Sequence, residues 1–222
     1  MNPNPPIFLF VPGINNWGAV FGDFRDWPVE APVYVNSNPA CLFHGVRSQS
    51  FMYMTTALTV SFMQKYRSES LSRLIAAYSR LGYPIHLFGH SNGTRVILDA
   101  LRYGSWPSVQ SLHLICGACD GDWQSNGLNA AMMTGRVKRC FVYMAGKDGA
   151  MHVENTLLGK LLFGIGLKDK PLGLTGPANV VMSLREQMKR DTIVWPNYDH
   201  STCWEPIYFK STMAELVADA LA

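Results

Sequence analysis

The sequence predicts an α/β protein whose mostly parallel central sheet carries helices on both faces. Short runs of consecutive apolar residues alternate along the chain with segments that show helical periodicity. An unbroken apolar run is typical of a strand that is buried on both faces, and strands separated by helices pair in parallel. Because a chain of 222 residues can bury one sizeable core, we expect a single domain over residues 1–222.

The clearest predicted strand is "IFLFV" at residues 7–11, which Pro12 and Gly13 end. Residues 33–35, "VYV", are a weaker strand candidate. The later predicted strands are residues 85–88, 112–115, 140–144 and 192–195. We expect these strands to form the sheet, with their connecting helices covering it.

Helical periodicity appears between these strands and after the last of them. The predicted helices lie around residues 71–78, at 94–103, at 178–189 and at the C-terminal end. In the first of these, Leu71, Leu74 and Ile75 fall on one face. The last helix is expected to begin with a capping box, Thr212-x-x-Glu215.

Composition and charge exclude several classes of partner. The formal net charge is +3 and no dense Lys/Arg run occurs, so no nucleic-acid partner is expected. Residues 1–6, "MNPNPP", are neither basic nor followed by a long apolar stretch, so we expect no signal peptide. The apolar run 157–167 is too short to span a bilayer and contains Lys160, so stable membrane insertion is not expected. A cytoplasmic protein is the resulting expectation.

The stretch "LFGHSNGTRV", residues 87–96, is polar and glycine-rich where a buried strand gives way to a helix. A strand, then G-x-S-x-G, then a helix is the pattern of a nucleophile elbow, here with Gly89, Ser91 and Gly93. The glycines let neighbouring backbone pack closely around the serine. The N–H groups at the start of the helix stabilise negative charge that develops nearby. Ser91 is therefore the candidate nucleophile.

On these residues the sequence resembles the α/β-hydrolase superfamily, and more closely its compact lipase- and esterase-like members. The resemblance runs through "IFLFVPGINNWG", "GHSNG", "YMAGKDGAM" and "YDHSTCW", and the elbow is its most specific part. It implies an α/β-hydrolase fold that is reduced at the N-terminus, because the first strand already leads into the oxyanion-type turn. It also implies a nucleophile, an acid and a histidine in that order along the chain. No cofactor or metal is expected.

His200 is the candidate general base. It lies on a loop after the last predicted strand and before the last helix, where the order of the triad places the histidine. The turn that holds Ser91 should direct the preceding His90 side chain elsewhere. The other histidines fit this role less well. His86 and His113 lie in predicted strands, and His44 precedes the nucleophile in the chain. His90 adjoins the nucleophile, and His152 lies too close to the candidate acid.

Asp148 is the candidate acid of the triad. It stands in "AGKDG" directly after a strongly apolar strand, so a strand end would deliver it to the site. An aspartate in such a sequence is also ordinary turn chemistry. Asp120, which follows the preceding strand, is the rival acid, and Asp122 is a weaker one.

The oxyanion hole requires two backbone N–H groups, one after the nucleophile and one from the loop after the first strand. Asn92 supplies the first of these positions. The second is expected in "PGINNW", with Ile14 the best candidate and Asn15 the next.

These roles predict a serine hydrolase that cleaves a small-molecule or lipid-like carboxylic ester through an acyl-enzyme. The insertion at about residues 150–190 contains "NTLLGKLLFGIGLKDKPLGLTG", whose apolar residues could line an acyl cleft, form a small cap or lid, or pack on the core. An acyltransferase or amidase would use the same triad. A non-catalytic binding protein on a hydrolase fold also stays open.

The cysteines suggest a different hypothesis, a redox or metal site at Cys116 and Cys119. "CGAC" has the C-x-x-C spacing of such sites, but Cys140 and Cys203 do not form a second pair of the same spacing. Buried free cysteines are the simpler interpretation.

Overall fold

A computed structural model describes residues 4–13, 27–37, 47–50, 60–103, 108–154, 156, 170–200 and 202–222. Its centre is a six-stranded sheet in the order β2-β1-β3-β4-β5-β6. Every pair of neighbouring strands is parallel. The strands are β1 (Ile7–Val11), β2 (Arg47–Ser50), β3 (Ile85–His90), β4 (Val109–Ile115), β5 (Val137–Ala145) and β6 (Thr192–Trp195).

Helices connect these strands and cover the sheet. They are α1 (Trp27–Ser37), α2 (Val60–Arg80), α3 (Asn92–Tyr103), α4 (Leu128–Met133), α5 (Gly149–Glu154), α6 (Leu172–Thr175), α7 (Met182–Asp191) and α8 (Pro206–Leu221). A 3₁₀ turn, Thr202–Trp204, precedes α8. None of the helices in these described segments combines the length and the apolarity that crossing a bilayer requires.

Side chains of the central strands divide between two cores, one on each face of the sheet. On β1, Ile7, Leu9 and Val11 join the core under α2, α3, α4 and α7, whereas Phe8 and Phe10 join the core under α1 and α8. Burial of both sets explains why the strand is apolar without alternation. The prediction of an α/β fold with helices on both faces is confirmed.

The predicted strand at residues 33–35 is wrong, because these residues lie inside helix α1. Ala31 and Val35 are both fully buried, and their spacing of four residues places them on one helical face. Tyr34 packs edge-on against Phe209 of α8, with ring centroids 5.7 Å apart. Packing against α8 thus outweighs the local β preference of a three-residue apolar run.

The capping box predicted at Thr212 and Glu215 is also wrong. Helix α8 begins at Pro206, with Glu205 in the N-cap position, so Thr212 lies within the helix. Proline suits the first helical position because its fixed φ fits the helix and its missing N–H would have no helical partner there. The helix predicted at 178–189 begins later, at Met182.

The insertion at about residues 150–190 is described in part. Residues 155 and 157–169, which hold most of its leucines, lie outside the described residues. The part that follows packs on the loop after β4, since Leu172 N–H donates to the Cys119 carbonyl at 2.8 Å and Gly173 N–H to the Gly117 carbonyl at 2.8 Å. The single domain with a cap or lid stays a prediction.

Candidate active site

Ser91 lies at the carboxyl end of β3, one residue before helix α3, with a left-handed φ of 52°. A left-handed conformation costs a residue with a Cβ roughly 1–2 kcal/mol, so the surrounding structure must hold it. The Ser91 N–H donates to the Ile115 carbonyl at 3.0 Å. The Ser91 carbonyl accepts from the N–H groups of Thr94 and Ala118, both at 3.1 Å, and from Thr94 Oγ1 at 2.6 Å. This is the strained strand-to-helix turn that the sequence predicts.

The two glycines of the elbow are required by close packing. A Cβ at Gly93 would lie 2.1 Å from the Val11 carbonyl oxygen, inside any permitted contact. A Cβ at Gly89 would lie 2.8 Å from Cδ1 of Ile97 and 3.0 Å from Cα of Thr94. Helix α3 can therefore start close to both β1 and β3 only when glycine occupies these positions.

The loop after β1 also reaches the serine. A Cβ at Gly13 would lie 2.8 Å from Ser91 Cβ and 3.3 Å from Ser91 Oγ. Gly13, the last described residue after β1, thus lies against the candidate nucleophile, where the second oxyanion donor is expected. Ile14 and Asn15 lie outside the described residues, so that donor stays a prediction. Asn92, the first oxyanion candidate, is buried at the first position of α3.

Asp148 and His200 are brought together by the fold although 52 residues separate them in the chain. His200 Nδ1 lies 2.9 Å from Asp148 Oδ2. The other carboxylate oxygen, Oδ1, accepts from the Met151 N–H at 2.9 Å, which caps the start of helix α5. The Asp148 side chain is fully buried and the His200 side chain is 15% exposed. A carboxylate can only accept, so the proton lies on His200 Nδ1 and Nε2 is the basic nitrogen.

The backbone around His200 is fixed by a reciprocal pair of hydrogen bonds. The Thr202 N–H donates to Asp199 Oδ1 at 3.0 Å, and the Asp199 N–H donates to Thr202 Oγ1 at 3.0 Å. A third bond runs from Thr202 Oγ1 to Asp199 Oδ1 at 2.8 Å. These bonds close the loop between β6 and the 3₁₀ turn on both sides of His200.

The rival acids have other partners. Asp120 accepts from the Asp122 N–H at 3.0 Å and from Ser125 Oγ. Asp122 accepts from Asn179 Nδ2 at 2.8 Å and from the Gln124 N–H at 2.9 Å. Both carboxylates therefore organise the loop after β4, whereas Asp148 contacts His200.

Comparison with solved structures yields matches across the full chain at low sequence identity. A protein of Xanthomonas campestris pv. campestris, provisionally described as a hydrolase of the alpha/beta superfamily, matches with a TM-score of 0.52 and 11% identity over 97% of this chain and 98% of that chain. The Zea mays acyl-protein thioesterase 2 matches with a TM-score of 0.50 and 9% identity over 98% and 94%. A Thermus thermophilus protein matches with a TM-score of 0.50 and 12% identity over 100% and 91%. The chain has the α/β-hydrolase fold.

No family model and no curated protein sequence matches the chain. At this level of identity the structural matches establish the fold alone. In this α/β-hydrolase fold, Ser91, Asp148 and His200 each follow the carboxyl end of a parallel strand, β3, β5 and β6 respectively.

His90, which the sequence did not identify as a site residue, is a neighbour of the site. Its expected direction, away from the site, is wrong: its ring centroid lies 4.9 Å from that of His200. His90 Nε2 lies 2.9 Å from the His200 carbonyl oxygen. Burial, and to a smaller extent the charge of His200, lower the pKa of His90 to about 3, although the hydrogen bond to the His200 backbone opposes this shift. The clue in the sequence is its position next to Ser91, since a residue at a strand end shares the edge where the loops converge.

The thiols of the C-x-x-C cysteines, Cys116 and Cys119, each have another partner and do not pair with each other as a redox site requires. The Cys119 thiol is hydrogen bonded to Thr94, and the Cys116 thiol contacts Cys203. Burial raises the pKa of Cys119 to about 12 and that of Cys203 well above the usual range, which disfavours the reactive thiolate. The cysteines in the described segments, Cys116, Cys119, Cys140 and Cys203, are free and buried.

Among the described residues, one group of three side chains could contribute to a metal site: His90, Cys116 and His200, whose donor atoms lie within 4.8 Å of one another. His90 Nε2 and His200 Nδ1 are engaged in hydrogen bonds, so the other nitrogen of each ring would have to ligate the ion. Zinc binding by this group would therefore occupy His200 Nε2, the nitrogen of the candidate base.

Proposed function

We propose that this protein is a serine hydrolase that cleaves carboxylic esters through an acyl-enzyme on Ser91. One observation carries the proposal: a strained serine at a strand-to-helix elbow shares one sheet edge with a buried aspartate–histidine pair. A structural serine needs no left-handed backbone, and backbone strain of this kind concentrates at functional sites. Nucleophilic acyl transfer requires both the activated serine and the histidine–aspartate pair.

In the proposed reaction, His200 Nε2 accepts the proton of Ser91 Oγ while that oxygen attacks the ester carbonyl carbon. The imidazolium gives the proton to the leaving alcohol as the carbon–oxygen bond of the ester breaks. Water then attacks the acyl-enzyme, His200 takes a proton from it, and Ser91 recovers its proton as the acid leaves. Asp148, through Nδ1 of His200, orients the ring and stabilises its charged form.

The negative charge on the tetrahedral intermediate needs donors at the Ser91 position. The N–H of Asn92 is proposed as the first donor, because Asn92 opens helix α3 directly after the serine. The N–H of Ile14 is proposed as the second, because Gly13 packs against Ser91. Removal of one such donor costs on the order of 10²–10³ in kcat in a serine protease.

The acyl group is proposed to be apolar. This part of the proposal rests on the sequence of residues 157–169, "LLGKLLFGIGLKD", which offers leucines, phenylalanine and isoleucine as a surface for a hydrocarbon chain. Neither nucleic acid nor a resident cofactor takes part in this mechanism.

The experiment that tests the nucleophile is labelling with a fluorophosphonate probe, which reacts with activated serines of unknown substrate. We expect rapid labelling of the wild-type protein and none of Ser91→Ala. A matched control is Ser183→Ala, since Ser183 is an exposed serine on α7. Labelling of Ser91→Ala at the wild-type rate, or no labelling of the wild-type protein, would contradict the assignment.

A further inference from the structure

His90 is a buried histidine that the proposed reaction does not use. It is the last residue of β3 and directly precedes Ser91, and it is 6% exposed. Its ring is enclosed by two aromatic neighbours. The His200 ring lies against it at 4.9 Å with an interplanar angle of 40°, and the Trp204 ring meets it edge-on at 5.5 Å.

The hydrogen bond between His90 and His200 has one permitted direction. The partner atom is the His200 backbone carbonyl oxygen, which can only accept, so His90 Nε2 must carry a proton and donate. At 2.9 Å this is a bond of ordinary length. It joins the strand that delivers the nucleophile to the backbone of the proposed base.

The His90 ring is held in its neutral form. Burial places the pKa of His90 at about 3, far below any pH at which an ester hydrolase with a histidine base works. Other titratable groups near this contact are Asp148, on Nδ1 of His200, and Cys116, whose donor atom lies within 4.8 Å of both histidines. A neutral ring therefore donates to the loop without placing a second positive charge beside the imidazolium that forms during catalysis.

We propose that His90 is a positioning residue that donates a hydrogen bond to the His200 carbonyl and so holds the general base in register with Ser91. This inference rests on the proposed function, because it assigns His90 a role in that reaction. The Asp199–Thr202 bonds fix the local shape of the loop, whereas the bond from His90 fixes its place relative to β3. A displacement of about 1 Å in a catalytic group can cost on the order of 10² in rate.

Two variants distinguish the contribution of the His90 N–H donor from that of its aromatic ring. His90→Phe keeps an aromatic ring between His200 and Trp204 but removes the donor. His90→Gln removes the ring but offers a side-chain N–H at a reach close to that of Nε2. We expect kcat for a p-nitrophenyl ester to fall on the order of 10² in His90→Phe, with KM nearly unchanged, and to stay within about tenfold of wild type in His90→Gln.

A matched control uses the other buried histidine of β3. His86 is 5% exposed and bonds Ser111 Oγ at 2.8 Å, away from the site. His86→Phe should lower Tm while kcat of the folded protein stays at the wild-type value. A purely structural role for His90 predicts the same behaviour for His90→Phe. Wild-type kcat in folded His90→Phe, or equal losses of kcat in the Phe and Gln variants, would overturn the inference.

A second measurement does not depend on activity. The proton between His200 Nδ1 and Asp148 should give a downfield, exchange-protected resonance in the proton NMR spectrum. We expect this signal in wild type, Ser91→Ala and His90→Gln, and its loss or broadening in His90→Phe. An unchanged signal in His90→Phe would contradict the positioning role. Failure of the proposed function would instead appear as a wild-type protein that does not label at Ser91, whatever the His90 variants show.

Discussion

At the scale of a single residue, the two carboxylate oxygens of Asp148 bind two different partners. Its Oδ1 caps helix α5 through Met151 and its Oδ2 contacts His200. An asparagine at this position could keep its oxygen on Met151, since Asn and Asp cap helices about equally well. Its amide nitrogen would then face His200 Nδ1, where donor meets donor. The substitution therefore separates the structural role from the proposed catalytic one.

We expect Asp148→Asn to lower kcat on the order of 10⁴ with the fold retained, because the imidazole is left in the wrong tautomer and orientation. Steady-state kinetics measure the loss, and circular dichroism checks the fold. Asp120→Asn is the matched control, since Asp120 bonds its own loop at Asp122 and Ser125, and it should stay near wild-type kcat. If Asp120→Asn were crippled and Asp148→Asn were active, the acid would belong to the earlier strand.

At the scale of elements, strongly apolar segments could be predicted from the sequence and weakly patterned ones could not. Strands β1 and β6 agree with prediction to the residue. Continuous burial accounts for the apolar sequence of β1, whereas β6 is buried only in part. Strand β2, "RSQS", carries no such signal, and among the described residues it is the first strand of the sheet order and pairs with β1 alone. Helix α1 was missed because its buried face depends on contact with α8, which is distant in sequence.

A chain of buried polar groups links several elements and gives a prediction at this scale. His86 Nδ1 bonds Ser111 Oγ at 2.8 Å, which bonds His113 Nε2 at 2.8 Å. His113 Nδ1 bonds the Tyr143 hydroxyl at 3.1 Å, and that hydroxyl donates to Asp219 Oδ2 on α8 at 2.7 Å. The network therefore crosses β3, β4 and β5 and ends on α8. Burial and the bond to Asp219 raise the pKa of Tyr143, so the hydroxyl keeps its proton and remains a donor.

We expect Tyr143→Phe to lower the free energy of unfolding by about 1–3 kcal/mol, because it leaves the Asp219 carboxylate and His113 Nδ1 without this partner while the ring is kept. Urea unfolding at pH 7 measures the change. Tyr103→Phe is the control, since that side chain is 52% exposed, and it should change stability by less than about 0.5 kcal/mol. A loss in Tyr143→Phe no larger than in the control would show that the network adds no stability.

At the scale of the whole molecule, the parallel sheet explains why the site could be inferred before its geometry was known. The strand pairs in the described part of the chain are all parallel, so the residues that follow each strand collect at one edge of the sheet. Because Ser91, Asp148 and His200 each follow a predicted strand, the sequence predicts that they lie close together. The fold brings Asp148 to His200. The His90 contact could not be inferred in this way, because it depends on how the loop after β6 folds back onto β3. The catalytic roles themselves stay predictions.

The buried histidines also make the stability of the whole fold depend on pH. Burial lowers the pKa of His86 to about 4 and that of His90 to about 3, and it places the pKa of His113 well below its usual value of 6.5. In the unfolded chain these imidazoles return to about 6.5, so unfolding takes up protons between about pH 4 and 6.5. The contribution of the neutral rings is therefore present above pH 6.5 and lost as the pH falls. Glu215 acts in the opposite direction, because burial raises its pKa.

We expect the free energy of unfolding to decrease from pH 7 to pH 5, with a slope that approaches roughly 1.4 kcal/mol per pH unit for each buried histidine that gains a proton on unfolding. Urea unfolding at pH 7, 6 and 5 measures this slope. The glutamine in His86→Gln can still donate to Ser111. This variant should take up about one proton fewer on unfolding, so its slope should be smaller than that of wild type. The control, His152→Gln, removes an exposed imidazole on α5 and should leave the slope close to that of wild type. A wild-type stability that is constant from pH 7 to pH 5, or equal slopes in the two variants, would mean that the buried rings accept protons without unfolding.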